Sequence, residues 1–334
     1  MLFSLFSYDV LILINTNVKI NKIMGLVVNL YKKYFVRRFD KEPGVPYYSY
    51  TDFSGLKRED YSFNNTNGIQ IRYFFYYYDN YQEDKIILLL HGMGPGHAAY
   101  LREIDELARR GYKVLTLDYQ GCGESKGEDM ASMNEPTRDV IDLLNHLHLD
   151  KEIIIYGHSL GGYTGLHVLT RRKDIKKAVI LAGILDAEAI GLVTIKSRLA
   201  VSIIGKYEKK IEPEYNKPDI LGYLKNTDAE ILCIQSLDDM TVPYKIFLGI
   251  VEKVDNKHIH IVKVNNRGHN PNYTEEAAKY LSEVFGTFNQ LLKKKKIKTD
   301  EEKINYFKDV NINRLTEQDQ DMFNQIDTFI KERS

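Results

Sequence analysis

Short apolar runs alternate with stretches of helical period through the middle of the chain, from residue 69 to residue 292. Residues 69–78 are rich in aromatic and branched side chains, a strand signal. Lys85–Leu90 (KIILLL) is a continuous apolar run ending in His91-Gly92, the pattern of a strand buried on both faces. Tyr100, Ile104 and Leu107 recur at helical spacing, and Gly111 supplies a stop. Residues 113–118, 152–156, Lys177–Leu181, 230–235 and 258–264 predict further strands. Residues 136–149, Leu160–Arg171, a stretch near 244–254 and a long segment from Thr274 predict helices. This alternation implies an α/β fold, a mostly parallel central sheet flanked by helices on both faces. In such sheets the working residues sit in loops at the carboxyl ends of the strands. Residues 185–226 interrupt the alternation with Ile190, Leu192, Ile195, Leu199, Val201, Ile203 and Ile204, and predict a small helical lid insertion above those strand ends.

The two ends differ from this middle. Residues 1–14 are apolar, but Asp9 interrupts them and no basic residue precedes them, so neither a secretory signal nor a spanning helix fits. Residues 19–38 carry Lys19, Lys22, Lys32, Lys33, Arg37 and Arg38, with no acid until Asp40. Val27, Leu30, Tyr31, Tyr34 and Phe35 fall at helical spacing within them, which predicts a basic amphipathic helix. Two readings follow: peripheral membrane contact through residues 19–38, or a helix packed on the domain, the commoner fate of an amphipathic helix. Met24 is a candidate start of translation, and Asn29 stands where a myristoylation site beginning at Gly25 wants Ser or Thr. Near the other end, Lys293 to Lys296 and Lys298 are followed at once by Asp300, Glu301 and Glu302, a solvated helix face. Beyond Thr299 the chain reads as a polar helical extension touching the rest through Phe307, Leu315, Phe323, Ile326 and Ile330. The expected division is an N-terminal apolar and basic extension (1–48), a main domain (49–292) with a lid at about 185–226, and a C-terminal extension (293–334).

Charge narrows the partners. Lys and Arg number 46 against 46 Asp and Glu, which argues against nucleic acid, because a phosphate backbone calls for a positive surplus. Two cysteines, Cys122 and Cys233, with no C-x-x-C spacing, exclude a disulfide framework and a zinc ribbon. Neither thiol is assigned a function, and the expected location is the cytoplasm.

The candidate chemistry begins after the strand at 152–156, where Gly157-His158-Ser159-Leu160-Gly161-Gly162 forms G-x-S-x-G at a strand-to-helix turn. A serine on such a turn projects its hydroxyl over the sheet, the flanking glycines let backbones cross, and the helix N-terminus favours developing negative charge. Serine is a weak nucleophile until an oriented base takes its proton. After the strand at 230–235 comes Ser236-Leu237-Asp238-Asp239-Met240-Thr241-Val242-Pro243, and after that at 258–264 comes Asn265-Asn266-Arg267-Gly268-His269. The order serine, acid, histidine on one rim makes Ser159, Asp239 and His269 the candidate triad, with Asp238 beside the acid and Asp186 a distant alternative. Two backbone N–H groups should form an oxyanion hole: Leu160, next after the nucleophile, and Met93, in the loop after Lys85–Leu90. His91 and His158 read as structural partners of their neighbouring glycines.

These motifs resemble the α/β-hydrolase family over residues 69–292. His91-Gly92-Met93-Gly94 resembles its HG oxyanion loop. Residues 118–125 (DYQGCGES) resemble its DxRGxGxS segment, with Gln120 in place of arginine. Residues 157–162 match GHSxGG, and residues 236–243 resemble the GxxDxxVP acid loop with Ser236 for glycine, a register that puts the acid at Asp239. Gly268-His269 matches the base. The branch resembled includes monoacylglycerol lipases and serine aminopeptidases. The resemblance implies the α/β-hydrolase fold and a serine hydrolase cleaving carboxylic esters through an acyl-enzyme, with no metal or organic cofactor. The substrate is expected to be a small-molecule ester, and the apolar insertion favours an acyl or aromatic group. An aminopeptidase-like amidase or an acyl-thioesterase would use the same machinery, and a catalytically silent ligand-binding member is a further alternative.

Overall fold

The structure, a computed structural model, describes residues 20–332. The apolar run 1–14 and Lys19 lie outside the described residues.

Eight strands form one sheet in the order β1-β2-β4-β3-β5-β6-β7-β8. They are β1 Lys57–Asn64, β2 Gln70–Tyr77, β3 Lys85–Leu90, β4 Lys113–Leu117, β5 Glu152–His158, β6 Lys177–Leu181, β7 Glu230–Ser236 and β8 Ile259–Val264. β1 and β2 pair antiparallel, as do β2 and β4, and every other pairing is parallel. The chain thus carries the α/β-hydrolase fold. The central strands are apolar on both faces because both are covered. Ile86, Leu88, Ile153, Ile155, Ala178, Ile180, Ile231 and Cys233 enter one core, while Ile87, Leu89, Ile154, Tyr156, Val179, Leu181, Leu232 and Ile234 enter another.

The helices are α1 Ile20–Tyr34, α2 Leu101–Arg109, α3 Glu135–Leu147, α4 Leu160–Arg171, α5 Ala187–Ile195, α6 Arg198–Ile211, α7 Ile220–Asn226, α8 Glu275–Lys293, α9 Asp300–Phe307 and α10 Gln320–Lys331. Helices α5, α6 and α7 occupy the stretch read as a lid.

Three elements differ from the sequence expectation. Strand β1 (KREDYSFN) shows no alternation because it is an edge strand in which Phe63 alone is buried. The helix expected near 244–254 breaks into two single turns, Tyr244–Ile246 and Leu248–Val251, at Phe247, whose φ −128° and ψ −92° are not helical. The third lies near the C-terminus. Helix α10 is no extension: Met322, Phe323, Ile326, Phe329 and Ile330 recur at helical spacing and close the second core against β3, β5, β6 and β7. The Lys177 ammonium donates to the carbonyls at the end of that helix, Phe329 at 3.2 Å and Ile330 at 3.4 Å. Helix α8 instead builds a small core of its own from Val284, Phe288, Ile297, Phe307 and Leu315. At the N-terminus, α1 packs on the lid helix α6 and buries Val27, Tyr31 and Tyr34, so the apolar face that a lipid surface would meet is already occupied. Among the described residues no helix is long and apolar enough to cross a membrane.

Candidate active site

Strand β5 runs into α4 through Ser159, whose φ of 56° and ψ of −117° lie where L-residues rarely stand. Glycines make the turn affordable. A Cβ on Gly161 would come within 1.9 Å of the Leu90 carbonyl oxygen, and one on Gly157 within 2.4 Å of the Gly161 oxygen. The Ser159 N–H donates to Leu181 O (2.9 Å) and its carbonyl accepts from Tyr163 N (3.0 Å), so the turn is anchored on β6 and α4.

The structure brings Ser159, His269 and Asp239 into one hydrogen-bonded line. Ser159 Oγ lies 2.9 Å from His269 Nε2, and His269 Nδ1 lies 2.8 Å from Asp239 Oδ2. A carboxylate beside Nδ1 holds the proton there and leaves the Nε2 lone pair facing the serine hydroxyl. Asp239 is buried, and its Oδ1 accepts from the N–H groups of Thr241 (2.8 Å) and Val242 (3.0 Å), so the carboxylate cannot swing away. Asp238 has other work. Its Oδ1 accepts from the Ser236 hydroxyl, which itself accepts from Arg267 N at 3.2 Å, and the pair pins the loop carrying His269. Asp186 caps α5, accepting from Glu188 N at 2.7 Å, and makes no hydrogen bond to His269.

A second chain links the two loops flanking the serine. Gly92 N–H donates to Tyr100 Oη (2.9 Å), the Tyr100 hydroxyl donates to His158 Nδ1 (2.7 Å), and His158 Nε2–H donates to the carbonyl of His269 (2.8 Å). Burial pushes His158 down to about 3, with His269 close by, so it stays neutral and keeps one N–H for this bond. His91 is likewise neutral, pushed down to about 4 by burial, with Nδ1 at 2.7 Å from Gly92 O and Nε2 accepting from Tyr119 N at 3.3 Å. Met93 and Leu160 border the cavity beside Ser159 and His269.

Gln120, where the resembled segment has arginine, binds Asp139 through its N–H (2.7 Å) and Asp129 O through its amide (3.3 Å). The loop after it is held by Arg38, which donates to the carbonyls of Gly123 (2.8 Å), Ser125 (3.0 Å) and Gly127 (3.0 Å).

The serine opens into a cavity of about 860 Å³. Its walls include residues that the sequence had placed outside the site: Tyr31, Phe35, Phe39 and Tyr47 from the N-terminal segment and Phe285 from α8. Lid residues Ile190, Ile195, Val201 and Ile204 complete an apolar lining. Glu208 of α6 ties these parts together, accepting from the Tyr31 hydroxyl, Met133 N (3.1 Å) and Asn134 Nδ2 (3.0 Å). Burial pushes the Glu208 carboxyl up to about 7.

A sequence model of the family described as "Serine aminopeptidase, S33" matches residues 81–230, which contain the serine turn and the glycine loop. Over that stretch, a little under half of its length, the chain is similar to the α/β-hydrolase family. Over 124 residues the chain is 27% identical to 2-hydroxy-6-oxo-6-(2'-aminophenyl)hexa-2,4-dienoic acid hydrolase of Metapseudomonas resinovorans, covering 36% of this chain and 41% of that protein. Over 108 residues it is 32% identical to 2-hydroxy-6-oxononadienedioate/2-hydroxy-6-oxononatrienedioate hydrolase of Escherichia coli, covering 30% of this chain and 37% of that one. The matched region thus spans less than half the length of these curated relatives. Among solved structures, an esterase of Pyrococcus furiosus is similar in fold, with a TM-score of 0.55 and 18% identity over 77% of this chain and 98% of its own.

Proposed function

We propose that this hydrolase cleaves carboxylic esters carrying an apolar acyl or aromatic group, with Ser159 as nucleophile. The observation that carries the reading is the hydrogen-bonded line Asp239–His269–Ser159 opening on an apolar cavity. In this mechanism His269 Nε2 takes the Ser159 proton as Oγ attacks the carbonyl carbon, and Asp239 stabilises the imidazolium that results. The oxyanion is met by the N–H groups of Met93 and Leu160, with the N-terminus of α4 adding favourable potential. His269 then gives its proton to the leaving alcohol, and water attacks the acyl-enzyme by the same steps reversed. The volume suits a medium-sized ligand, within the roughly 300–1,000 Å³ of small-molecule sites. The location is proposed to be cytoplasmic.

A fluorophosphonate probe tests the nucleophile whatever the substrate. An adduct mapped to Ser159 and lost in His269→Ala is expected. No adduct on folded protein overturns the assignment and brings the ligand-binding alternative forward. The family description favours one second reading, an aminopeptidase-like amidase. Matched ester, thioester and amide substrates separate the readings, and the ester reading requires the highest kcat/KM on the ester.

A further inference from the structure

A second cavity, of about 470 Å³, lies between α5, α6 and residues 216–217. Helix α6 presents Arg198, Ser202, Lys206 and Lys209 to it, spaced by four, four and three residues and therefore on one stripe. Lys217 joins from the following loop, and the acid that lines the cavity, Glu188, is already paired with Lys217 at 2.6 Å. Arg198, Lys206 and Lys209 form no ion pair or hydrogen bond among the described residues. The whole chain has equal numbers of acids and bases, so this surplus of positive charge is a local arrangement and not a by-product of composition.

Three further features separate the cavity from an ordinary solvated lysine face. It is concave. Ser202 and Asn216 add a hydroxyl and an amide that donate hydrogen bonds to an anion. Leu192, 39% exposed, supplies an apolar edge. From this set we infer that the lid holds an anion-binding site for the phosphate or carboxylate of an amphiphilic ligand. The site adjoins the main cavity: Val201, Gly205 and Lys217 line both, so its occupant touches the wall that shapes the substrate space.

The inference does not need the ester reading, because binding is measured without turnover. The probe is a fluorescent short-chain alkyl phosphate, followed by anisotropy on protein whose Ser159 has been replaced by alanine. The comparison is the same protein carrying Lys206→Glu and Lys209→Glu, two exposed positions outside the main cavity. Saturable one-site binding that weakens by about tenfold or more on charge reversal is expected, with the melting temperature unchanged. Two arms distinguish the source of the anion. Displacement by inorganic phosphate points to a free phosphate-bearing ligand. Co-sedimentation with phosphatidylcholine vesicles only when phosphatidylglycerol is included points to a lipid headgroup. Absence of saturable binding, or equal binding by the charge-reversed protein, overturns the inference and leaves a solvated basic face.

Discussion

Replacing Tyr100 by phenylalanine removes one oxygen and cuts the link between the loop before Met93 and the loop that carries His269. The lost bonds are those to Gly92 N–H at 2.9 Å and to His158 Nδ1 at 2.7 Å. Gly92 and His158 are both buried, so neither group regains its partner from bulk water. An orphaned buried polar group costs about 1–3 kcal/mol, and the retained ring keeps its packing, so the variant should lose about 2–4 kcal/mol of unfolding free energy. Catalysis should suffer separately. Gly92 precedes the proposed oxyanion donor Met93, and His158 Nε2 holds the carbonyl of His269, the proposed base, at 2.8 Å. Losing an oxyanion donor outright costs about 10²–10³ in kcat, and a loosened loop should cost less, about 10–100-fold. Tyr100 borders the cavity, but its ring is retained and only the hydroxyl is lost, so KM should change by no more than about threefold. Steady-state kinetics on a short nitrophenyl ester and urea unfolding measure the two effects. A double variant adding His158→Gln should lose little more kcat than the worse single variant, since both cut one chain. A variant with reduced stability but kcat within about twofold of the parent would refute the argument and leave Tyr100 a packing residue.

Asp239→Asn should lower kcat by roughly 10³–10⁴, through the wrong histidine tautomer, while Asp186→Asn, which preserves a helix cap, should stay within about twofold in the same assay. Glu208 is raised by burial from the usual 4.5 to about 7, so its contribution to stability is complete below about 4.5 and disappears as pH rises through about 7. That shift corresponds to on the order of 3 kcal/mol, and Glu208→Gln should flatten the dependence of unfolding free energy on pH between about 4.5 and 7. An unchanged slope would refute the assignment of this carboxyl. Arg38→Ala strips three backbone carbonyls of their donor and should cost about 1.5–3 kcal/mol by urea unfolding; a change under about 0.5 kcal/mol would show that water replaces it.

The central parallel strands were legible because they are buried on both faces and read as short apolar blocks, as in Lys85–Leu90 and Lys177–Leu181. The serine turn was legible for a different reason: only glycines fit where Gly157 and Gly161 meet neighbouring backbone. What stayed hidden depends on partners distant in the chain. Tyr31 and Phe35 look like any amphipathic helix until α6 is placed beside them, and nothing local marks them as cavity walls. Strand β1 exposes most of its side chains at a sheet edge and so lacks a period. The Tyr100–His158 link spans 58 residues, and its histidine is indistinguishable in sequence from one that merely follows a glycine. Helix α10 carried its apolar spacing openly, but the polar residues between those positions matched a solvated tail as well as a covering layer.

The position of α10 in the chain has a consequence for biosynthesis. A ribosome delivers β1 to β8 before it delivers residues 320–331, so the apolar face that includes Leu89, Tyr156, Leu181 and Ile234 has only α2, through Leu101, Ile104 and Leu107, and the segment around Phe53 and Leu56 to cover it for as long as α8 and α9 are still being made. Vectorial synthesis normally lets a nascent domain collapse as it emerges. Here the sheet can order early, yet the part of one side that α2 does not cover stays wet and adhesive until a single late helix lands, with Lys177 waiting to donate to its final carbonyls. Premature termination anywhere between β8 and α10 would therefore release a chain with the Ser159 turn already encoded and a sticky sheet beneath it, a product for quality control and not a smaller enzyme.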